Sequence, residues 1–143
     1  MILLLGATGY VGGAFARELV RRGWEFRTLS RHEVNYTRLD PLLQWLRDHR
    51  PELVINSAGY TGKPNVDACE TARAESLLGN ALLPQTVAHA CEVAGVPWGH
   101  VSSGCIYSGA RIAGAGAVRV EPDLTRPDLR RLVDAREIGR AHV

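Results

Sequence analysis

The chain has 143 residues, of which 45% are hydrophobic and 22% charged, so its size and composition are those of about one globular domain. Its formal net charge is only +2, and residues 1–110 hold ten basic and ten acidic residues. This balance argues against the strongly basic surface that nucleic-acid binding usually requires, and we expect no nucleic-acid partner.

The chain begins with a short apolar run, MILLL. The run is too short to span a bilayer, and it lacks the basic flank and the long apolar region of a signal peptide. We therefore expect a cytoplasmic protein without a membrane segment. The run is instead typical of a strand that is buried on both faces of a parallel sheet.

A glycine pattern follows this strand, with Gly6, Gly9 and Gly12 spaced three residues apart. The next apolar residues recur at helical spacing: Phe15, Leu19 and Val20. A helix that starts directly after a glycine loop offers unpaired N–H groups to a pyrophosphate. Gly6 would make the tight turn, Gly9 would admit the phosphates, and Gly12 would allow close packing of helix on strand. The alternative is a structural turn in another α/β protein.

The remaining predicted elements alternate between strands and helices. In chain order they are a second strand EFRTLS, a short third strand VNY, a helix RLDPLLQWLRDHR, a fourth strand LVINSAG, a helical stretch from Asp67 to Ala94 that is interrupted near Pro84, and a fifth strand with its exit loop, PWGHVSSGCIY. This alternation predicts an α/β fold with a doubly wound, Rossmann-like parallel sheet of five strands, incomplete at its C-terminal side.

The character of the sequence changes after Ala110. Residues 111–143 are rich in arginine and contain no clear buried strand, although a short helix could begin at Pro127. The final residues IGRAHV resemble a translated sequencing adapter. We therefore predict a partial dinucleotide-binding domain at 1–110 and an irregular tail at 111–143 that includes non-native sequence.

Three segments of the chain resemble the extended short-chain dehydrogenase/reductase family, in its sugar-nucleotide branch that makes activated rhamnose. They are GATGYVGG, NSAGYTGKPNVDACE and VSSGCIYSG. The last two are similar to UDP-4-keto-6-deoxyglucose 3,5-epimerase/4-reductases and, more distantly, to dTDP-4-dehydrorhamnose reductases. The resemblance covers residues 1–110. It implies a nucleotide-sugar substrate, a nicotinamide cofactor and, for a full-length enzyme, a homodimer.

The resemblance also implies which residues contact the cofactor. They are Gly6, Thr8, Gly9, Tyr10, Val11, Gly12, Ser30, Arg31, Asn56, Ala58, Gly59 and Tyr60. Ser30 and Arg31 would face the adenosine ribose, and an arginine there suits the 2′-phosphate of NADP. NAD remains an alternative, because Glu33 is nearby and an acidic residue could hold the 2′-hydroxyl.

Three residues are implied to act in catalysis: Asn80, Ser103 and Cys105. In the family, the serine hydrogen-bonds the sugar carbonyl and the asparagine supports the site, while in this branch a cysteine is proposed to move protons at C3 and C5. Helix capping and a satisfied structural amide are the alternatives for Asn80, and a small buried hydrophobe is the alternative for Cys105. Cys69, Cys91, His89 and His100 are interpreted as structural, and no metal site is expected.

One part of the family pattern is missing. The chemistry of the family depends on a tyrosine followed four residues later by a lysine, but the single lysine of this chain is Lys63 and no tyrosine follows Tyr107. Two hypotheses follow. The first is the cofactor-binding part of an NADP-dependent sugar-nucleotide reductase/epimerase that is inactive in this form, and the second is a non-catalytic dinucleotide-binding module.

Overall fold

The computed structural model describes residues 1–102 and, as backbone, residues 110–114 and 117–121. Residues 1–101 contain a four-stranded parallel sheet made of β1 (Ile2–Leu5), β2 (Phe26–Leu29), β3 (Leu53–Asn56) and β4 (Trp98–His100). The strands lie in the order β2-β1-β3-β4. The α/β class and the parallel, doubly wound sheet predicted from the sequence are therefore confirmed.

Helices connect these strands. They are α1 (Tyr10–Arg21), α2 (Leu39–His49), α3 (Ala68–Thr71), α4 (Arg73–Leu77), a π-helical segment (Leu78–Leu82) and α5 (Leu83–Ala94). The last helix ends at Gly95, which has a left-handed φ of 68°. That conformation favours glycine, which is common directly after the end of a helix.

The sheet is covered on both faces, as the uniformly apolar sequence of β1 predicted. Leu3 and Leu5 pack into a cluster with residues of α2 and α5, whereas Ile2 and Leu4 pack with Leu19 of α1 on the opposite face. Successive side chains of a strand point to opposite faces, so a strand between two helical layers needs four apolar residues in a row. The carboxyl end of β1 therefore lies between those of β2 and β3, along the edge where all four parallel strands end.

The first helix differs from its prediction in one respect. It begins at Tyr10, within the glycine pattern, and Leu19 is buried as expected. Val20, however, is 69% exposed. Leu19 and Val20 are adjacent in sequence and point about 100° apart around a helix, so only one of them can face the sheet.

The prediction of a short third strand at VNY is wrong. Residues 34–36 form a loop between β2 and α2, held by local backbone bonds such as Val34 N to the carbonyl of Ser30. Tyr36 is nevertheless buried in the core cluster, at 5% exposure. The apolar residues that suggested a strand are used to anchor a loop, and the described sheet has four strands instead of five.

The long helical stretch is interrupted twice. Ala72 leaves the helical conformation at φ −87° and ψ 56°, between α3 and α4. The π-helical segment then directly precedes α5, whose second residue is Pro84. Proline has no amide hydrogen for the carbonyl four residues earlier, so an irregular turn before it is expected. The predicted interruption near Pro84 is confirmed, and the break at Ala72 was not predicted.

A second compact unit begins at Ser102. It contains an antiparallel hairpin of β5 (Ala110–Gly114) and β6 (Ala117–Glu121), with Ala110 opposite Glu121. The hairpin was not predicted from the sequence, in which we found no clear buried strand after Ala110. The predicted helix from Pro127 lies outside the described residues. Within those residues, no helix has the length and apolar character needed to cross a membrane.

Candidate functional site

A cleft of about 500 Å³ lies at the carboxyl ends of β1 and β2. Its walls come from the loops that follow these two strands and include Gly6, Thr8, Ser30, Arg31 and Glu33. The first strand has β2 on one side and β3 on the other, so the strand order reverses beside it. Open parallel sheets bind their ligands at such a reversal point, outside the carboxyl ends of the strands.

Two of the three glycines are required by the packing of the protein itself. Gly6 has a φ of 79°, and a Cβ added there would lie 2.5 Å from the backbone nitrogen of Ala58. A Cβ on Gly12 would overlap the carbonyl oxygen of Gly6 and lie 2.7 Å from Ser57 Oγ. These contacts bring the glycine loop against the loop that follows β3, so no side chain fits between the two segments.

Gly9 has no such structural requirement. It precedes α1 with ordinary extended torsions, φ −80° and ψ 169°. An added Cβ would approach only the Gly6 carbonyl oxygen, at 3.4 Å, which is normal van der Waals contact. Among the described residues, no side chain caps the first turn of α1, and that turn holds no acidic residue. The space in front of the helix N-terminus is therefore open to an anion, and a side chain at position 9 would narrow it.

The loop that follows β2 is closed by a reciprocal pair of hydrogen bonds. The amide of Ser30 donates to Glu33 Oε2 at 2.9 Å, and the amide of Glu33 donates to Ser30 Oγ at 3.2 Å. The bond from the Ser30 amide holds the pKa of Glu33 below its usual value. Arg31 lies inside this turn, is exposed, and lines the cleft. The carboxylate closest to the end of β2 is therefore charged and bound to the chain's own backbone.

Asn56, the last residue of β3, is fully buried. Its Oδ1 accepts from the amide of Ala58 at 3.0 Å, and its Nδ2 lies 3.2 Å from Nδ1 of His100, the last residue of β4. The hydroxyl of the neighbouring Ser57 donates to the Leu5 carbonyl at 2.7 Å. A buried amide with partners on both sides fixes the loop after β3 against β1 and β4.

Asn80 holds the next part of that loop. Its Oδ1 accepts from the amide of Tyr60 at 2.7 Å, and its Nδ2 donates to the Tyr60 carbonyl at 2.8 Å. The close approach depends on Gly79, where an added Cβ would lie 2.8 Å from the Cβ of Tyr60. Both polar ends of the amide are used on one peptide backbone, so the π-helical segment positions the loop at residues 58–60. Such segments occur frequently at functional sites.

A family model described as the RmlD substrate binding domain matches residues 1–127. The chain belongs to this family. Its resemblance to the rhamnose-forming branch of the extended short-chain dehydrogenase/reductases is thereby confirmed.

Curated relatives from plants and bacteria support the assignment to the RmlD family. The trifunctional UDP-glucose 4,6-dehydratase/UDP-4-keto-6-deoxy-D-glucose 3,5-epimerase/UDP-4-keto-L-rhamnose-reductase RHM1 of Arabidopsis thaliana is 33% identical over 108 residues, which cover 73% of this chain and 15% of that protein. The dTDP-4-dehydrorhamnose reductase of Burkholderia thailandensis is 31% identical over 126 residues, which cover 88% of this chain and 40% of that protein. The chain thus spans well under half the length of these relatives.

Solved structures of similar proteins share the fold. The dTDP-4-dehydrorhamnose reductase of Bacillus anthracis, solved in complex with NADP, superposes with a TM-score of 0.65 at 24% identity, over 76% of this chain and 38% of that one. The UDP-rhamnose synthase of Acanthamoeba polyphaga mimivirus gives a TM-score of 0.68 at 21% identity, over the same shares of the two chains. At these identities, the structures establish a shared Rossmann-like fold.

Most of the predicted site residues of this RmlD-family chain lie at one edge of the sheet. The glycine loop, Ser30 and Arg31 line or border the cleft, and the loop from Asn56 to Tyr60 packs against the glycine loop. Tyr10 is 93% exposed at the start of α1, and Thr8 and Val11 are also exposed. Ser103 and Cys105 lie outside the described residues.

Two polar residues of the site were not recognised from the sequence. The contact of His100 with the Asn56 amide agrees with the interpretation of His100 as structural, but this partner was not predicted. The position of His100 within the predicted fifth strand was the available signal. Glu33 was treated only as a possible competitor for the ribose. The spacing of Ser30 and Glu33 matches that of a capping box, and this pattern could have predicted the reciprocal bonds.

The burial of Cys69 and Cys91 agrees with their interpretation as structural residues. Cys91 is fully buried in the core, and burial raises the pKa of its thiol to about 11, so it is not a reactive thiolate near neutral pH. Cys69 is half-buried. Among residues 1–102, no cluster of histidine, cysteine and acidic side chains has the geometry to hold a metal ion.

Proposed function

We propose that this chain binds NADP at the cleft between the glycine loop and the loop after β2. The observation that carries the proposal is Gly9, a glycine that neither its torsions nor its neighbours require and that leaves the N-terminus of α1 open. A pyrophosphate fits such a place, because the exposed amides and the helix dipole favour an anion. Gly6 and Gly12 support the same role by holding the loop against the sheet.

NADP is preferred over NAD in this proposal because of the charges in the turn after β2. Arg31 lies at the cleft and can pair with a 2′-phosphate. The acidic residue that could instead accept from a 2′-hydroxyl, Glu33, has one carboxylate oxygen bound to the Ser30 amide. The NADP bound to the Bacillus anthracis relative is consistent with this preference.

We further propose that the chain supplies the cofactor-binding part of a sugar-nucleotide reductase/epimerase of activated-rhamnose synthesis. The names of its relatives support this substrate class, including UDP-4-keto-L-rhamnose reductase and dTDP-4-dehydrorhamnose reductase. When bound, the nicotinamide would supply the hydride for a 4-keto sugar. Ser103 would hydrogen-bond the sugar carbonyl, Cys105 would exchange protons at C3 and C5, and Asn80 would hold the adjacent loop.

A non-catalytic dinucleotide-binding module is the second candidate, and one observation favours it. None of the four tyrosines is followed four residues later by a lysine, so the 143 residues hold no tyrosine whose pKa such a lysine could lower. Loss of a positioned general acid costs roughly 10²–10⁴ in rate. We therefore propose that residues 1–143 alone do not reduce a 4-keto sugar nucleotide at a useful rate.

Fluorescence titration with NADPH and NADH tests the cofactor proposal. We expect saturable binding that is tighter for NADPH. The preference should be lost in Arg31→Ala and kept in Arg47→Ala, which changes an exposed arginine of α2. Equal affinities, or an unchanged ratio in Arg31→Ala, would contradict the proposed preference.

An assay of NADPH oxidation with UDP-4-keto-6-deoxyglucose tests the proposed inactivity of residues 1–143. Turnover by these residues alone would show that they contain another proton donor.

A further inference from the structure

The turn from Ser30 to Glu33 is held by polar contacts more than by burial. Both residues are exposed, and the reciprocal pair of hydrogen bonds joins the amide of each to the side chain of the other. Two backbone bonds also reach the Ser30 carbonyl, from the amide of Glu33 at 3.2 Å and from that of Val34 at 3.1 Å. Since residues 30–33 are all exposed, the shape of the turn between its buried flanks depends on these bonds.

The Glu33 carboxylate is the strongest acceptor in this turn. A charged acceptor makes shorter and stronger hydrogen bonds than a neutral one. Its partner is the Ser30 amide, directly after the last residue of β2, so the bond fixes the chain at the point where it leaves the sheet. Arg31 and His32 are the two residues enclosed by the bond, and both line the cleft.

The same carboxylate could have a different role. If Glu33 accepted hydrogen bonds from the ribose of a bound dinucleotide, it would select a cofactor with a free 2′-hydroxyl and repel a 2′-phosphate. The bond to the Ser30 amide turns one of its oxygens toward the chain instead. The two roles predict opposite effects of removing the carboxylate.

We propose that Glu33 is a positioning residue for cofactor discrimination, which binds the Ser30 amide and thereby holds Arg31 at the cleft for the 2′-phosphate of NADP. This inference rests on the proposed binding of NADP at the cleft. Glu33 acts through the turn and makes no contact with the cofactor. Its removal therefore weakens the recognition of the 2′-phosphate and leaves the rest of the dinucleotide site in place.

Titration of NADPH and NADH into five variants of the whole chain tests the proposal. Glu33→Ala should lower the NADPH affinity about tenfold, the worth of one hydrogen bond to a charged group, with the NADH affinity nearly unchanged. Glu33→Gln should keep most of the preference, because its carbonyl oxygen still accepts from the Ser30 amide. In Arg31→Ala, adding Glu33→Ala should change the ratio no further. Glu92→Ala, an exposed glutamate of α5, should have no effect.

The outcomes distinguish a failure of the positioning role of Glu33 from a failure of the proposed NADP binding. A higher NADPH-to-NADH affinity ratio in Glu33→Ala would overturn the inference in favour of direct ribose contact, and an unchanged ratio would overturn it as well. If the unaltered chain binds neither cofactor, the proposed function fails and the inference with it. Amide hydrogen exchange gives a readout without cofactor, since Ser30 should exchange faster in Glu33→Ala, and unchanged protection would show that the carboxylate does not hold the turn.

Discussion

Asn56 Nδ2 lies 3.2 Å from His100 Nδ1, and this contact joins the carboxyl ends of two neighbouring strands. The same ring nitrogen lies 3.3 Å from the carbonyl oxygen of Asn56. Since Asn56 Oδ1 also accepts from the Ala58 amide, one fully buried side chain connects β4 to the loop that touches the glycine loop.

Replacing Asn56 should therefore destabilise the fold. In Asn56→Ala the buried amide of Ala58 loses its acceptor, and we expect the free energy of unfolding to fall by about 2 kcal/mol. His100→Ala should cost less, because the bond between Asn56 and Ala58 remains. Urea unfolding measures both values, with Gln44→Ala on the exposed face of α2 as a control that should change stability by no more than about 0.5 kcal/mol. Equal small losses in all three variants would contradict the buried role of Asn56.

Alanine substitutions at Gly9 and Gly12 should distinguish an effect on NADPH binding from an effect on stability. A methyl group at position 12 would overlap the Gly6 carbonyl, so Gly12→Ala should lower the free energy of unfolding by at least about 2 kcal/mol. Gly9→Ala meets no comparable neighbour and should stay within about 1 kcal/mol of the parent chain. Its NADPH affinity should nevertheless fall about tenfold or more, because the methyl group enters the space proposed for the phosphates. A Gly9→Ala chain that binds NADPH normally would refute that placement.

Asn80 should control the order of the loop at Tyr60. Removal of both of its hydrogen bonds in Asn80→Ala should raise the exchange rate of the Tyr60 amide about fivefold, the equivalent of roughly 1 kcal/mol. Asn80→Asp keeps the acceptor for that amide and should protect it better than alanine does. Asn65→Ala, which changes an exposed asparagine of the same connection, serves as the matched control. Identical exchange in Asn80→Ala and the parent would mean that the loop holds its shape unaided.

Cys91 should contribute to loss of stability at alkaline pH. Burial raises the pKa of its thiol from the usual 9.0 to about 11, so the folded chain keeps a proton that the unfolded chain releases. The stabilising effect is fully present below pH 9 and is lost as the pH rises toward 11, with a slope of at most about 1.4 kcal/mol per pH unit. Unfolding curves measured at several pH values in this range give the free energy of unfolding at each pH. This free energy should fall less steeply with pH in Cys91→Ala than in Cys69→Ala. Parallel slopes would indicate that the thiol titrates alike in both states.

The parts of the fold that could be predicted from the sequence are those where the residue pattern is typical of one local structure. The four apolar residues of β1 can only be buried on both faces, and Gly6, Gly9 and Gly12 between a strand and a helix point to one kind of loop. Residues 34–36 were misread because apolar character does not distinguish a strand from a buried loop anchor, and Tyr36 is the latter. The contacts of Asn56 with His100 and of Asn80 with Tyr60 could not be predicted, since they join residues that are 44 and 20 positions apart in the chain.

Each π-helical turn contains one residue more than an α-helical turn. Deletion of a single residue between Leu78 and Leu82 would convert the segment into ordinary α-helix and remove its bulge. The helices on either side would keep nearly the same relative rotation, because the shorter α-helical turn still completes one revolution. Asn80 and Gly79 would then leave the backbone of Tyr60, whereas substitution of the exposed Leu78 or Leu82 would leave that contact in place. At this point of the chain, the number of residues matters more than the identity of most of them, and gaps should be rare there when related sequences are aligned.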